Sequence, residues 1–205
     1  KLNVFDNRGN GPNTSRIWNK LIKESTCDYI LLIDSDAFVQ NTIGLIRGHR
    51  QPVCWLTEMM KAFTSMDRVA IVGPVCGTPA TTTMQSMKPK DEDPFEIDGH
   101  LSGYCFLTKK SIYNELGYFD EDFCFYGQES DWIERILEDK KHRIVIAPRA
   151  HVTHGYKDQG SEAARQAEKE GEMNMGEDSS YSYLMWNFKK QLRMRKRGKT
   201  YDFKY

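Results

Sequence analysis

The stretch Asp28-Tyr29-Ile30-Leu31-Leu32-Ile33-Asp34-Ser35-Asp36 decides how this chain is read. Tyr29–Ile33 is continuously apolar and includes β-branched isoleucines, the pattern of a central parallel strand covered on both faces. It stops at two carboxylates separated by one residue. In an open α/β sheet, ligands bind beyond the carboxyl ends of the strands, and Asp34 and Asp36 stand at that lip. Two carboxylates so spaced are hard oxygen donors that can share a divalent cation directly and through water. A strand-end turn capped by its own aspartates uses the same residues, so the motif alone leaves both readings open.

Working outward, Asn13 or Thr14 caps a helix running to about Glu24, with Ile17, Trp18, Leu21 and Ile22 at helical spacing. Upstream, Leu2–Phe5 is a short strand candidate that leads into the turn-rich Asp6–Asn13. Downstream, an amphipathic stretch over Trp55–Ser65 precedes the apolar strand Val69–Val72, ended by Gly73-Pro74. This alternation predicts an α/β fold: an open, mostly parallel sheet flanked by helices. Residues 77–99 read as a long polar loop, a length usually kept for function. A strand over Gly103–Leu107, a helix over Lys109–Leu116 and a turn at Gly117–Asp120 follow. A helix over Glu129–Asp139 carries Trp132, Ile133, Ile136 and Leu137 on one side, and a strand over His142–Ala147 closes at Pro148. Residues 157–179 are polar without an apolar stripe, and an aromatic helix, Tyr181–Met194, runs into a basic tail over 189–205. No internal repeat is present, and the expectation is one domain over 1–205.

The 205 residues carry 29 basic and 29 acidic side chains, a formal net charge of zero. That balance excludes a general polyanion binder, so no nucleic acid partner is expected. An aromatic content of 12% excludes a disordered chain, which lacks the apolar surface to fold. No apolar run reaches bilayer-spanning length, and the first residues lack the apolar core of a secretory leader. Cys27, Cys54, Cys76, Cys105 and Cys124 are scattered without a paired spacing, as reduced thiols of a cytoplasmic protein would be. The zero sum hides unequal parts. Residues 157–179 hold seven acids against three bases, whereas Lys189–Lys199 holds seven bases and no acid. Such a tail suits either anionic lipid headgroups, hence membrane association, or the negative end of a helix.

Five segments in order resemble the motifs of family-2 glycosyltransferases, inverting enzymes with the GT-A fold. Asp28–Asp36 resembles their strand ending in Asp-x-Asp. Leu101-Ser102-Gly103-Tyr104-Cys105-Phe106-Leu107 is similar to "sG-x-x-f-l", and Gly117-Tyr118-Phe119-Asp120-Glu121-Asp122-Phe123 to "GgFDE-x-F". Gln128-Glu129-Ser130-Asp131 with Arg135 resembles "E-D-x-D-l-x-x-R", and Ile144–Pro148 with His154 resembles "i-x-y-x-p-x-a-x-v-x-H". The order and spacing carry the likeness more than any single match.

The resemblance implies transfer of a sugar from a nucleotide-sugar donor, a UDP-sugar by preference, to a hydroxyl of a glycan, lipid or protein. Mn²⁺ or Mg²⁺ would sit on Asp36 with Asp34 nearby, and His154 stands where the family can place a further ligand. His151 is a weaker candidate, because a three-residue spacing does not keep two side chains on one face of a strand. Asp34, Ser35, Asp36 and Gly103 would face the donor. Glu129 occupies the position of the usual catalytic Asp and Gln128 that of the preceding Glu, which makes Glu129 the general base and Asp131 the second candidate. Arg135 reads as an ion-pair partner on that helix. Tyr183 and Trp186 would stack on acceptor sugar, and 157–179 would order over bound donor.

The chain departs from the family at its start. Two strand–helix units usually precede the metal motif, and here there is little room for them, so the N-terminal strands are expected to be shortened or missing. The family's "N-x-G-x-x-x-x-R-N" is echoed only loosely by Asn10-Gly11 and Asn19. The alternatives are a nucleotidyltransferase, a nucleotide-sugar hydrolase, or a truncated nucleotide-sugar-binding module without turnover.

Overall fold

The computed structural model describes residues 13–34, 37–39, 42–46, 49–76, 84–123, 127–154 and 175–196, with backbone alone at 42–46, 49–52, 175–183 and 186. The expected strand Leu2–Phe5, the residues Ser35 and Asp36, most of the loop 157–179 and the end of the basic tail lie outside these residues. The chain divides into two compact units, one of Thr26–Gly117 with Ile133–Ala163, the other of Lys1–Ser25, Tyr118–Trp132 and Ala164–Tyr205.

The first unit is built on a sheet. Its strands are β1 (Tyr29–Ile33), β2 (Ala37–Val39), β5 (Val69–Val75), β6 (Phe95–Ile97), β7 (Cys105–Lys109) and β8 (Arg143–His154), in the order β1-β7-β5-β8-β2 with β6 also on β8. A separate hairpin, β3 (Thr42–Ile46) with β4 (His49–Val53), completes the strands among the described residues. All seven residues of β5 are buried, as its unbroken apolar run requires of a strand covered on both faces. Helix α2 (Trp55–Ser65) supplies part of that cover: Met59, Ala62 and Phe63 join Val69, Val72, Leu107, Val145 and Ala147 in one core. Helix α3 (Lys110–Leu116) follows β7 directly.

The α/β class is as expected, and the pairing is more mixed than strand–helix alternation implies. β5 and β8 pair in parallel. β1 and β5 also share a direction, but β7 lies between them, antiparallel to both. β2 and β6 are antiparallel to β8. Two further differences concern length. Phe95–Ile97, inside the expected loop 77–99, is a short strand because β8 offers it an open edge. β8 does not close at Pro148 but runs 12 residues to His154. Pro148 is tolerated because the register slips there: Ala147 faces Pro74 and His151 faces Val75, so the intervening residues have no counterpart on β5. The carbonyl of Pro148 accepts from Lys90 N at 3.0 Å, and Arg149 is held by Asp91 and Asp93 at 2.7 and 3.0 Å.

The second unit contains α1 (Thr14–Glu24), the first turn and more of α4 (Gln128–Asp139), and α5 (Met175–Lys196). Asn13 caps α1, its side chain accepting from Arg16 N at 2.9 Å. Asn19, 2% exposed, does more than fill space. Its amide donates to Phe119 O at 2.8 Å and accepts from Phe119 N at 2.9 Å, closing both backbone groups of a buried residue. Around this pair Trp18 meets the Phe119 ring edge-on at 5.2 Å, and Phe119 meets Trp132 at 5.6 Å. Replacing Asn19 by Leu keeps its bulk but strands a buried N–H and C=O, which should cost about 3 kcal/mol. The check is urea unfolding, where the midpoint should fall with little change in slope.

Candidate functional site

The carboxyl end of β1 and the far end of β8 meet through β2. Where Ile33 ends the apolar run, Asp34 N donates to Tyr104 O at 2.8 Å, and Asp34 O accepts from Ala37 N at 3.0 Å. Ala37 then pairs with His154, Phe38 with Thr153 and Val39 with Val152. This register carries the His154 imidazole back over the start of the acidic motif, Nε2 standing 3.7 Å from Asp34 Oδ2. Two of the three expected metal ligands, 120 residues apart in sequence, are therefore neighbours. The third, Asp36, lies outside the described residues, as does Ser35. The Asp34 and His154 side chains are 39% and 23% exposed, so a solute can reach both.

The donor set suits a cation such as Mn²⁺. A carboxylate oxygen and an imidazole nitrogen 3.7 Å apart can each lie about 2.1–2.2 Å from one shared ion. Imidazole nitrogen favours Mn²⁺ over Mg²⁺, which takes oxygen by preference. Among the described residues no group of three or more His, Cys, Asp or Glu stands together. His151 does not join the pair. It faces Val75 on β5, whereas His154 faces Ala37 on β2, and burial lowers the His151 pKa.

Under the pair lies a closed floor. The Tyr104 ring stacks on His154 with centroids 4.8 Å apart and planes 17° apart. Tyr104 and Cys105 are 2% and 0% exposed. Burial pushes the Cys105 thiol up to about 12, helped by the negative charge of Asp34, and burial likewise raises the Tyr104 phenol. Gly103 is half-buried in the turn just before β7.

The carboxylates expected to act as base belong to the other unit. Glu129 and Asp131 both lie in the first turn of α4, where negative charge favours the helix N-terminus. They differ in surroundings: Glu129 is half-buried, while Asp131 is buried and accepts from Arg193 Nη1 of α5 at 2.6 Å. Lys189, one helical turn before Arg193, binds Asp120 at 2.8 Å and also Asp122. Two bases of the expected tail are thus counterions for acids of their own unit. Arg135 donates from Nη1 to Leu116 O at 2.9 Å beside Gly117, whose φ of +85° ends α3. Tyr183 and Trp186 are within α5 by backbone, and their side chains lie outside the description.

Gln85 was not legible as part of this site. It sits in a stretch read as loop, yet it is fully buried and bonded to Tyr104. A glutamine among threonines and methionines gives no periodic signal; only the void left by Gly73 would betray it.

No protein-family model matches the chain, and no curated protein matches it. Solved structures do. The crystal structure of GalNAc-T7 with UDP, GalNAc and Mn²⁺ matches over 73% of this chain and 31% of its own, with 14% identity and a TM-score of 0.52. The mannosyltransferase PcManGT from Pyrobaculum calidifontis, in complex with GDP-Man and Mn²⁺, matches over 80% of this chain and 41% of its own, with 16% identity and a TM-score of 0.49. The chain spans less than half the length of either structure. The fold is the mixed α/β fold of GT-A glycosyltransferases.

The thiols offer a direct check of the floor. Cys54 is exposed, and hydrogen bonding by Thr57 holds its pKa below the usual thiol value. At pH 8 it should be alkylated early, while Cys105, with a pKa near 12, should react only after unfolding. Mass spectrometry of a timed iodoacetamide reaction reads both.

Proposed function

We propose that this chain is a metal-dependent glycosyltransferase that moves a sugar from a nucleoside diphosphate donor to an acceptor hydroxyl with inversion. The observation that carries the proposal is the approach of His154 to Asp34 at 3.7 Å, at the strand end where a GT-A fold receives its donor. The ordered motifs support assignment to the family-2 type. UDP and Mn²⁺ in the GalNAc-T7 structure support a UDP-sugar and Mn²⁺ as the first choices, with Mg²⁺ as the alternative ion.

Asp34, Asp36 and His154 would hold the cation. Bound there, it would neutralise charge developing on the departing diphosphate. Ser35 and Gly103 would contact the donor through backbone or hydroxyl. The acceptor oxygen forms its bond to the anomeric carbon as the bond from that carbon to the diphosphate oxygen breaks. Glu129 takes the hydroxyl proton, and one displacement inverts the centre. The Asp131 carboxylate, already bound to Arg193, is the less suitable base.

Calorimetry with UDP- and GDP-sugars, with and without Mn²⁺, tests donor and metal together. Asp36→Ala should abolish Mn²⁺-dependent donor binding. Glu129→Gln should keep binding and lower turnover by about 100-fold or more; full turnover in that variant would transfer the role to Asp131. Products discriminate the rivals. Nucleotidyl transfer or hydrolysis alone would assign a nucleotidyltransferase or hydrolase, and binding without turnover a binding module.

We further propose a lipid-linked acceptor at an anionic membrane surface, with the protein in the cytoplasm. No described helix is long and apolar enough to cross a membrane. On α5, however, Leu184, Phe188 and Leu192 recur every four residues and are 59%, 49% and 39% exposed. Arg195 and Lys196 are exposed at the same end. An apolar stripe edged by cations fits the boundary of an anionic bilayer, each cation adding about 1 kcal/mol. Tyr183 and Trp186, on the same helix, would bind the acceptor sugar. Vesicles containing phosphatidylserine should co-sediment the protein, less so as salt rises, and Phe188→Ser with Leu192→Ser should release it.

A further inference from the structure

Gly73 lacks a side chain where Gln85 needs the space: a Cβ there would stand 2.6 Å from Gln85 Nε2. Gln85 is fully buried, and its amide is used at both ends. Nε2 donates to Pro74 O at 2.8 Å and to Tyr104 Oη at 3.1 Å, and Oε1 accepts from Ser102 N at 2.6 Å. The Tyr104 hydroxyl donates in turn to Pro74 O at 3.2 Å. The main chain closes the same knot, Cys76 N donating to Gln85 O at 2.8 Å. Tyr104 is thereby pinned at its hydroxyl by Gln85 and Pro74, and at its carbonyl by Asp34 N. Its ring is the surface on which the His154 imidazole lies.

We infer that Gln85 and Tyr104 are positioning residues for the cation site, setting the plane of His154 so that Nε2 faces Asp34. The inference rests on the reading that Asp34, Asp36 and His154 hold a divalent cation. The physical reason is preorganisation. An imidazole free to turn loses that freedom on coordination, whereas one laid flat against an immobile ring has lost it already. A hydroxyl fixed by two partners is what makes the ring immobile. Apolar packing alone would bury Tyr104 equally well without fixing its direction.

The test is Mn²⁺ binding to the full chain without nucleotide, by calorimetry and by pulsed electron paramagnetic resonance, which detects nitrogen coordinated to Mn²⁺. Wild type should show the imidazole nitrogen signal, and His154→Ala should lose it. Tyr104→Leu, which removes the stacking ring, should raise the Mn²⁺ Kd about tenfold or more and broaden that signal. Tyr104→Phe and Gln85→Leu keep the ring and the core volume but free its outer end; each should weaken Mn²⁺ by a smaller factor, about threefold. These two variants carry the test if Tyr104→Leu does not fold. Should Tyr104→Phe and Gln85→Leu melt at lower temperature yet bind Mn²⁺ with wild-type Kd and signal, the residues are structural only and the inference is overturned. If instead wild type binds no Mn²⁺, or Asp34→Ala and His154→Ala bind it unchanged, the cation site itself fails and the inference with it.

Discussion

β8 is longer than any one neighbour can serve, and the site follows from how its backbone is satisfied. A buried strand must pair its N–H and C=O groups. Over Arg143–Ala147 those groups go to β5 on one side and β6 on the other. Beyond the slip at Pro148 the strand needs another partner, and β2 supplies it at Val152–His154. Because β2 begins immediately after the acidic motif, this pairing carries His154 to Asp34. The bulge is no defect in the strand. It is the place where β8 changes partners: Lys90 N takes the carbonyl of Pro148, and Asp91 and Asp93 hold the Arg149 side chain beside it.

The same arrangement separates what is rigid from what is reachable. Tyr104, Cys105 and Gln85 are buried beneath the site, while Asp34 and His154 keep part of their surface in solvent. A buried polar network of this kind specifies direction, since each hydrogen bond fixes an angle as well as a distance. Neutral net charge takes on a local meaning too. Lys189 and Arg193 are matched to Asp120, Asp122 and Asp131, so part of the basic tail neutralises acids within its own unit.

Much of the fold was legible. The unbroken apolar run Val69–Val72 announced a buried strand, and Asn13 with the spacing of Trp18, Leu21 and Ile22 announced α1. Tyr29–Ile33 announced a strand but not its place: among the described strands β1 stands at the end of the order, only Ile30 and Leu32 are buried, and Ile33 is 41% exposed. What periodicity could not show was β7 lying between β1 and β5, because strand order is a matter of which edges meet, not of local pattern. Nor could it show the continuation of β8 through Pro148, where a local rule against proline in strands yields to a change of register.

By itself, then, the amino-acid sequence determined the principal helices and apolar strands and set Asp34 and Asp36 at the end of one apolar run, while His154 was marked only by a motif resemblance and β2, β6 and the β3–β4 hairpin were not marked at all. Local composition suffices for that, because burial and chain period are written residue by residue. Only the tertiary structure decided that Asp34 and His154 stand 3.7 Å apart, that Asp131 answers Arg193, and that Gln85 anchors Tyr104. Those contacts join residues distant along the chain, and their geometry is set by strand register and packing, which no single stretch encodes.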